Sequence, residues 1–116
     1  MSQDKIETIK INEVEYVRKD QLKAVVVEKR DGAWTIGKNY IVRTVTMMIT
    51  GRLIHLDDHE MVFQDAAWVA DSGRFADALK SGKLNEVEPF PDEAIIGRGS
   101  VVDAALWNHA LPRDQK

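Results

Sequence analysis

His55 and His59 flank Asp57, Asp58 and Glu60, the densest run of imidazole and carboxylate groups in the chain. On a strand, His55, Asp57 and His59 share one face at two-residue spacing, a pattern able to assemble a metal site. The competing reading is preferred: Asp57-Asp58 is ordinary turn composition, and a charged hairpin tip is stable simply by being solvated. General acid-base work by the same groups needs an apolar pocket to tune their proton affinities, and the flanking sequence suggests none. Ser72 and Ser100 lack a Gly-x-Ser-x-Gly elbow and a recognisable histidine partner, so Ser72 reads as a helix cap. Gly97-Arg98-Gly99-Ser100 has the glycines of a phosphate cradle without the Lys-Ser/Thr end or the following helix, and reads as a bulged strand. No catalytic residue, metal ligand or cofactor is therefore assigned, and the expectation is a protein that is not an enzyme.

Binding chemistry is the better prospect. Trp68, Arg74, Phe75 and Arg98 combine rings that stack on bases with guanidinium forks that grip phosphate. Trp68, Arg74, Arg98 and Gly99 are accordingly the candidate ligand-binding residues, with a nucleotide-type small molecule at a subunit boundary as the ligand. The alternative is that Trp68 and Phe75 are core and that the arginines pair with local acids such as Asp71 and Asp103.

Composition restricts the partners. The 116 residues carry 16 Lys/Arg and 19 Asp/Glu, a formal charge of −3. Residues 1–30 hold seven of those bases and six of those acids, leaving nine against thirteen beyond them, or about −4. Nonspecific nucleic-acid coating needs a dense basic surface, so this balance argues against RNA. Zero cysteines exclude disulfides and thiolate sites. There is no apolar run of transmembrane length, and the N-terminus is acidic where a signal peptide is basic and then apolar, so no membrane is expected and the location expected is the cytoplasm.

The elements that must position these groups are mostly strands. Residues 39–66 alternate with a period near two and break at Thr50-Gly51 and Asp57-Asp58-His59, predicting three antiparallel strands over about 39–50, 52–56 and 60–64. In the first, Ile41, Val45, Met47 and Ile49 fall on one face and Tyr40, Val42, Thr44, Thr46 and Met48 on the other, so the sheet is covered on both sides or strongly curved. Gly51 permits a bend. Upstream, Ile9–Asp20 alternates around Asn12-Glu13 as a small hairpin, and 24–36 reads as a second hairpin turning at Asp31-Gly32. Downstream, Asp71 or Ser72 caps a short helix over 72–81 that stops at Gly82. The Pro-containing stretch 83–92 reads as an extended loop, and 93–106 as a final strand pair interrupted at 97–99.

Two resemblances follow. Gly51-x-Leu53-x-x-x-Asp57 with Met61-Val-Phe63 and Asp65-Ala66, and later Ile96-Gly-Arg98-Gly99-Ser-Val101, resemble the two motifs of Sm-like proteins, the family that includes Hfq. That implies a small barrel assembled into rings. Glu60 or Met61 stands where the family has its base-binding Asn, and 67–92 replaces a direct hairpin. The order of Ile11–Asp20, Val42-Arg43-Thr44, a glycine strand, an acidic turn, Trp68 and an Ala/Leu helix ending in Gly is similar to that of small proteins encoded by tailed phages and prophages. That implies a mobile-element accessory protein working in the host cytoplasm.

These readings converge on a mainly β fold: a small antiparallel SH3-like or Sm-like barrel over 24–107 with one short inserted helix, an N-terminal hairpin appendage over 1–23 and a flexible tail over 108–116. Edge strands in so small a barrel favour a homo-oligomer. The function expected is an oligomeric binding protein that sequesters a nucleotide signal of host defence. The alternatives are a structural or protein-interaction subunit, with Tyr16, Trp34 or Trp107 at its interface, an Sm-like RNA-binding ring, and a hydrolase, which would need His55, Asp57 and Glu60 to converge in a pocket.

Overall fold

The computed structural model describes residues 30–116. The hairpin expected over 1–23 and the first part of the second, 24–29, lie outside them. Among the described residues, eight strands and one α-helix form: β1 (Arg30–Asp31), β2 (Trp34–Thr35), β3 (Asn39–Thr44), β4 (Met48–Leu56), β5 (Glu60–Asp71), α1 (Phe75–Ser81), β6 (Glu86–Pro89), β7 (Ala94–Gly97) and β8 (Val101–Leu106). β1 and β2 are a two-residue ladder beside the main sheet, whose antiparallel order is β6-β5-β4-β3-β8. The twelve-residue β5 pairs with β7 through Glu60–Phe63 and with β6 through Ala67–Asp71. Among the described residues the pairing path is open, with no ladder joining β7 to β8.

Three strands do run through 39–71, but they divide at different places from those expected. The first turn is Val45-Thr46-Met47, not Thr50-Gly51. Thr44 makes it: its Oγ1 accepts the N–H groups of Met47 (3.0 Å) and Thr46 (3.4 Å), while the Thr44 N–H donates to Met47 O at 2.7 Å. A threonine side chain has thus replaced the glycine or asparagine that usually announces a turn. The reversal places Val42 opposite Ile49 and Ile41 opposite Thr50. Ile49 therefore packs with Tyr40 and Val42, while Ile41 belongs to a second cluster.

Gly51 lies inside β4 at a shift of register, where Thr50 faces Ala67 and Arg52 faces Gln64, so β5 carries one residue more, Asp65 and Ala66 standing opposite the single Gly51. Asp65, in that bulge, has φ 54°, a conformation Asp adopts more readily than most side chains. A Cβ on Gly51 would sit 2.9 Å from Phe63 Cβ and 3.3 Å from Ala66 Cβ. Bend and glycine are therefore one feature, as expected for a strand that must curve.

Both faces of the sheet are covered. Leu53, Met61, Phe63 and Ile96 extend the first cluster, and Val69, Ala78, Leu84, Val87 and Trp107 form the second with Ile41. The helix begins at Phe75 rather than 72, because Asp71 still belongs to β5 and its Oδ1 accepts the Gly73 N–H at 2.8 Å. It ends at Gly82, φ 76°, as expected. The stretch 83–92 is not all loop: Glu86–Pro89 pairs with β5, leaving Pro89 at the strand end. The interruption at 97–99 is a 3-10 turn, Arg98–Ser100, and β7 and β8 join opposite sides of the sheet instead of each other.

Residues 108–116, expected to be a flexible tail, run back along the molecule. The indole N–H of the buried Trp107 donates to Ala110 O (3.1 Å), and His109 Nε2 lies 2.7 Å from Leu79 O. Lys116 and Val87 exchange both backbone hydrogen bonds (3.0 and 3.1 Å), so the last residue covers the outer edge of β6. No helix among the described residues is long and apolar enough to cross a membrane.

Candidate functional site

The turn between β4 and β5 is built by Asp57. Its Oδ1 accepts the N–H groups of His59 and Glu60, both at 2.8 Å, and its Oδ2 lies 2.9 Å from His55 Nε2. The His55 hydrogen bond first, and then the two backbone donors, hold the Asp57 carboxyl far below the usual carboxylate range. Donor atoms of His55, Asp57 and Glu60 lie within 4.8 Å of one another, all on exposed side chains. The trio is therefore the one a hydrolase would need, with Glu60 in the third place that the metal reading gave to His59, but its side chains are exposed rather than gathered in a pocket. The hydrogen bonds are those that close a tight turn, which accounts for the arrangement by local backbone chemistry.

Arg98 belongs to the same end of the molecule. Its Nη1 donates to Asp57 O (2.9 Å) and to Asp31 Oδ2 (3.0 Å), and its backbone N–H donates to His59 O (2.9 Å). The guanidinium therefore ties β1 to the β4–β5 turn. Its acid partner is Asp31 rather than Asp71 or Asp103. Asp103 pairs instead with Arg43, in a two-pronged contact of 2.8 and 2.6 Å. Gly99, beside Arg98, is exposed, with open space where a side chain would stand.

Trp68 and Arg74 lie elsewhere. Trp68 is 42% exposed rather than core, set across the ladders from Ile49 and Glu88. Arg74 is the exposed residue just before α1. Eight residue steps along β5 take the strand from Glu60, the partner of Gly97, to Trp68, a contour of roughly 26 Å at the usual strand rise. Within one copy, the tryptophan and Arg98 are therefore at different ends of β5. Phe75 is half-buried against the second cluster, with the Arg43 guanidinium 4.5 Å above its ring.

A cleft not anticipated from sequence lies along β8. It encloses about 430 Å³ between Trp34, Tyr40, Ala104 and Leu106. The Trp34 and Tyr40 rings are 4.9 Å apart, and Tyr40 is fixed because its Oη accepts the Thr35 N–H at 2.8 Å. Leu106, which lines the cleft, is 50% exposed, and Val102, at the register shift farther back along β8, is 66% exposed. The signal in sequence was the run Val101-Val-Asp-Ala-Ala-Leu106, apolar on nearly every residue yet destined for an edge. Trp107, one of the aromatics considered for an interface, is core instead, at 2% exposure. No family model, no curated protein and no solved structure matches this chain.

Another cleft, about 480 Å³, sets Asp65, Asp92 and Glu93 against Arg113. Three carboxylates against one guanidinium make it a poor seat for phosphate and a better one for a cationic group.

Proposed function

We propose that this chain is a non-enzymatic, homo-oligomeric binding protein of phage or prophage type, built on a small SH3-like or Sm-like barrel. The unequal edges of the sheet carry this reading. Lys116 covers β6, whereas β8 presents Ala104 and Leu106 at an aromatic cleft and an exposed Val102 farther along the strand. An apolar edge strand is costly to leave in water and templates pairing with another chain.

The barrel is supported by a length argument. From β7 to β8 the sheet has four inter-strand steps, about 19 Å if flat. Yet the two strands are joined by a three-residue 3-10 turn that rises only about 6 Å. The sheet must curl for that link to reach, and the Val45 N–H donating to Ser100 O at 2.9 Å fastens it.

The ligand we propose is a nucleotide-type signal, sequestered where Trp68 and Arg74 of one copy approach Arg98 and Gly99 of the next. The exposed indole is the feature that favours it, since base stacking on an aromatic ring is worth about 1–3 kcal/mol. Native mass spectrometry of protein from nucleotide-producing cells tests assembly and ligand together. Trp68→Ala and Arg98→Ala are expected to weaken nucleotide binding at least tenfold; unchanged affinity removes the ligand from this reading. A second reading, a protein-interaction subunit, is favoured by the Trp34–Tyr40 cleft and expects oligomers that carry no small molecule.

A further inference from the structure

We infer that Asp31 is an internal competitor for the phosphate seat on Arg98: its carboxylate occupies the guanidinium until an anionic ligand displaces it. This rests on the nucleotide reading above and adds the contact that regulates the same site.

The two partners are held very unequally. Arg98 is fixed by the backbone of the β4–β5 turn, to which its own N–H (His59 O, 2.9 Å) and its Nη1 (Asp57 O, 2.9 Å) both donate, and its side chain is 28% exposed. Neither contact needs Asp31. Asp31 stands on the two-residue ladder of β1, just before Gly32 at φ 63°, with a side chain 56% exposed. Among the described residues its carboxylate takes part in one hydrogen bond, from Arg98 Nη1 at 3.0 Å. When the pair opens, the acid is the member that moves and the guanidinium stays.

The contact also leaves most of the guanidinium unused. Asp31 engages one nitrogen through one oxygen, and that nitrogen already serves Asp57 O, so Nε and Nη2 donate to nothing among the described residues. An arginine fork bonds a phosphate through two nitrogens at once, and such paired, charge-assisted contacts are stronger than single ones. Arg43 provides the contrast within this chain. Asp103 takes both its Nε and its Nη2, at 2.8 and 2.6 Å, and leaves no comparable fork. Arg98 is therefore the one of these two arginines that a phosphate can still claim.

There is room for the exchange. Gly97 and Gly99 flank Arg98, and a side chain begun at either would meet nothing within 4 Å, so a ligand can approach past them. Asp31 also lines a cleft of about 210 Å³ with Arg30, Ile36, Ile54 and His55, which gives the displaced carboxylate a place to turn. The Asp57 carboxylate is committed elsewhere, to the His55 ring and the N–H groups of His59 and Glu60, and offers Arg98 only its carbonyl.

AMP, with one base and one phosphate, is the probe, its affinity read by equilibrium dialysis. Asp31→Asn removes the competing charge and keeps a residue suited to the turn before Gly32. D31N is expected to bind AMP about two- to fivefold more tightly than wild type, the range that an exposed ion pair is worth. Asp58→Asn removes an equal charge from the neighbouring turn and should leave the affinity unchanged, and the gain should vanish in an Arg98→Ala background. Binding by D31N no tighter than wild type, a gain that D58N reproduces, or one that survives without Arg98 overturns the competition. If AMP still binds the wild-type chain through Trp68 and Arg98, the nucleotide reading stands without this regulation; if neither wild type nor D31N retains AMP, both fall.

Discussion

Thr50 is fully buried, and its Oγ1 has no hydrogen-bond partner among the described residues. A hydroxyl in that state opposes folding, because it has lost water without a replacement. Thr50→Val keeps the shape and removes the polar atom, so the variant should be more stable by about 1 kcal/mol, seen as a higher urea midpoint at unchanged slope. Asp57 and Asp103 act in the opposite sense. Hydrogen bonds from His55 and from Arg43 hold their carboxyls below the ordinary range, so their contribution is complete above the unfolded carboxylate value, about pH 4, and drains away as pH falls toward the folded values. The thermal midpoint should therefore drop between pH 5 and pH 3, and Asp57→Asn should shrink that drop. An undiminished drop in the variant would assign acid sensitivity to other carboxylates. The acidic turn was legible in the sequence because Asp57 works through neighbours only two and three residues away. The Arg98–Asp31 and Arg43–Asp103 pairs, 67 and 60 residues apart in sequence, were not legible.

At the level of elements, period-two alternation predicted strands correctly and misplaced their ends. Thr44-Val-Thr-Met47 carries no glycine, proline or asparagine, so the β3–β4 turn was read as strand and Gly51 was given its place. β6 was missed for a different reason. Glu86–Pro89 is a poor strand by propensity and exists because β5 is long enough to offer it a ladder. The C-terminal residues show the same dependence on context. Polar in composition, they are held by His109 on Leu79, by the packing of Leu111 on the second cluster and by the Lys116–Val87 exchange. Deleting residues 108–116 should cost about 2–4 kcal/mol, from the lost burial and hydrogen bonds, and should raise acrylamide quenching of tryptophan fluorescence as Trp107 loses its cover. An unchanged melt and unchanged quenching would show that these contacts contribute nothing in solution.

For the whole molecule, the open question of any β-sheet is what becomes of its margins. Here the answer differs from one side to the other, since the chain's own last residue covers β6 while β8 offers an apolar strand outward. The candidate ligand residues divide along the same length: Trp68 and Arg74 toward one end of β5, Arg98 and Gly99 toward the other. By itself the sequence determined that the chain is mainly β and antiparallel with one short helix ending at Gly82, and that a solvated acidic turn lies at 57–59, because alternation, capping and turn chemistry act over a few residues. Only the tertiary structure decided which strands are neighbours, which tryptophan is core and which is exposed, and which strand ends the sheet among the described residues. Those outcomes depend on surfaces that meet only after the chain has crossed its own length, and no local pattern encodes them.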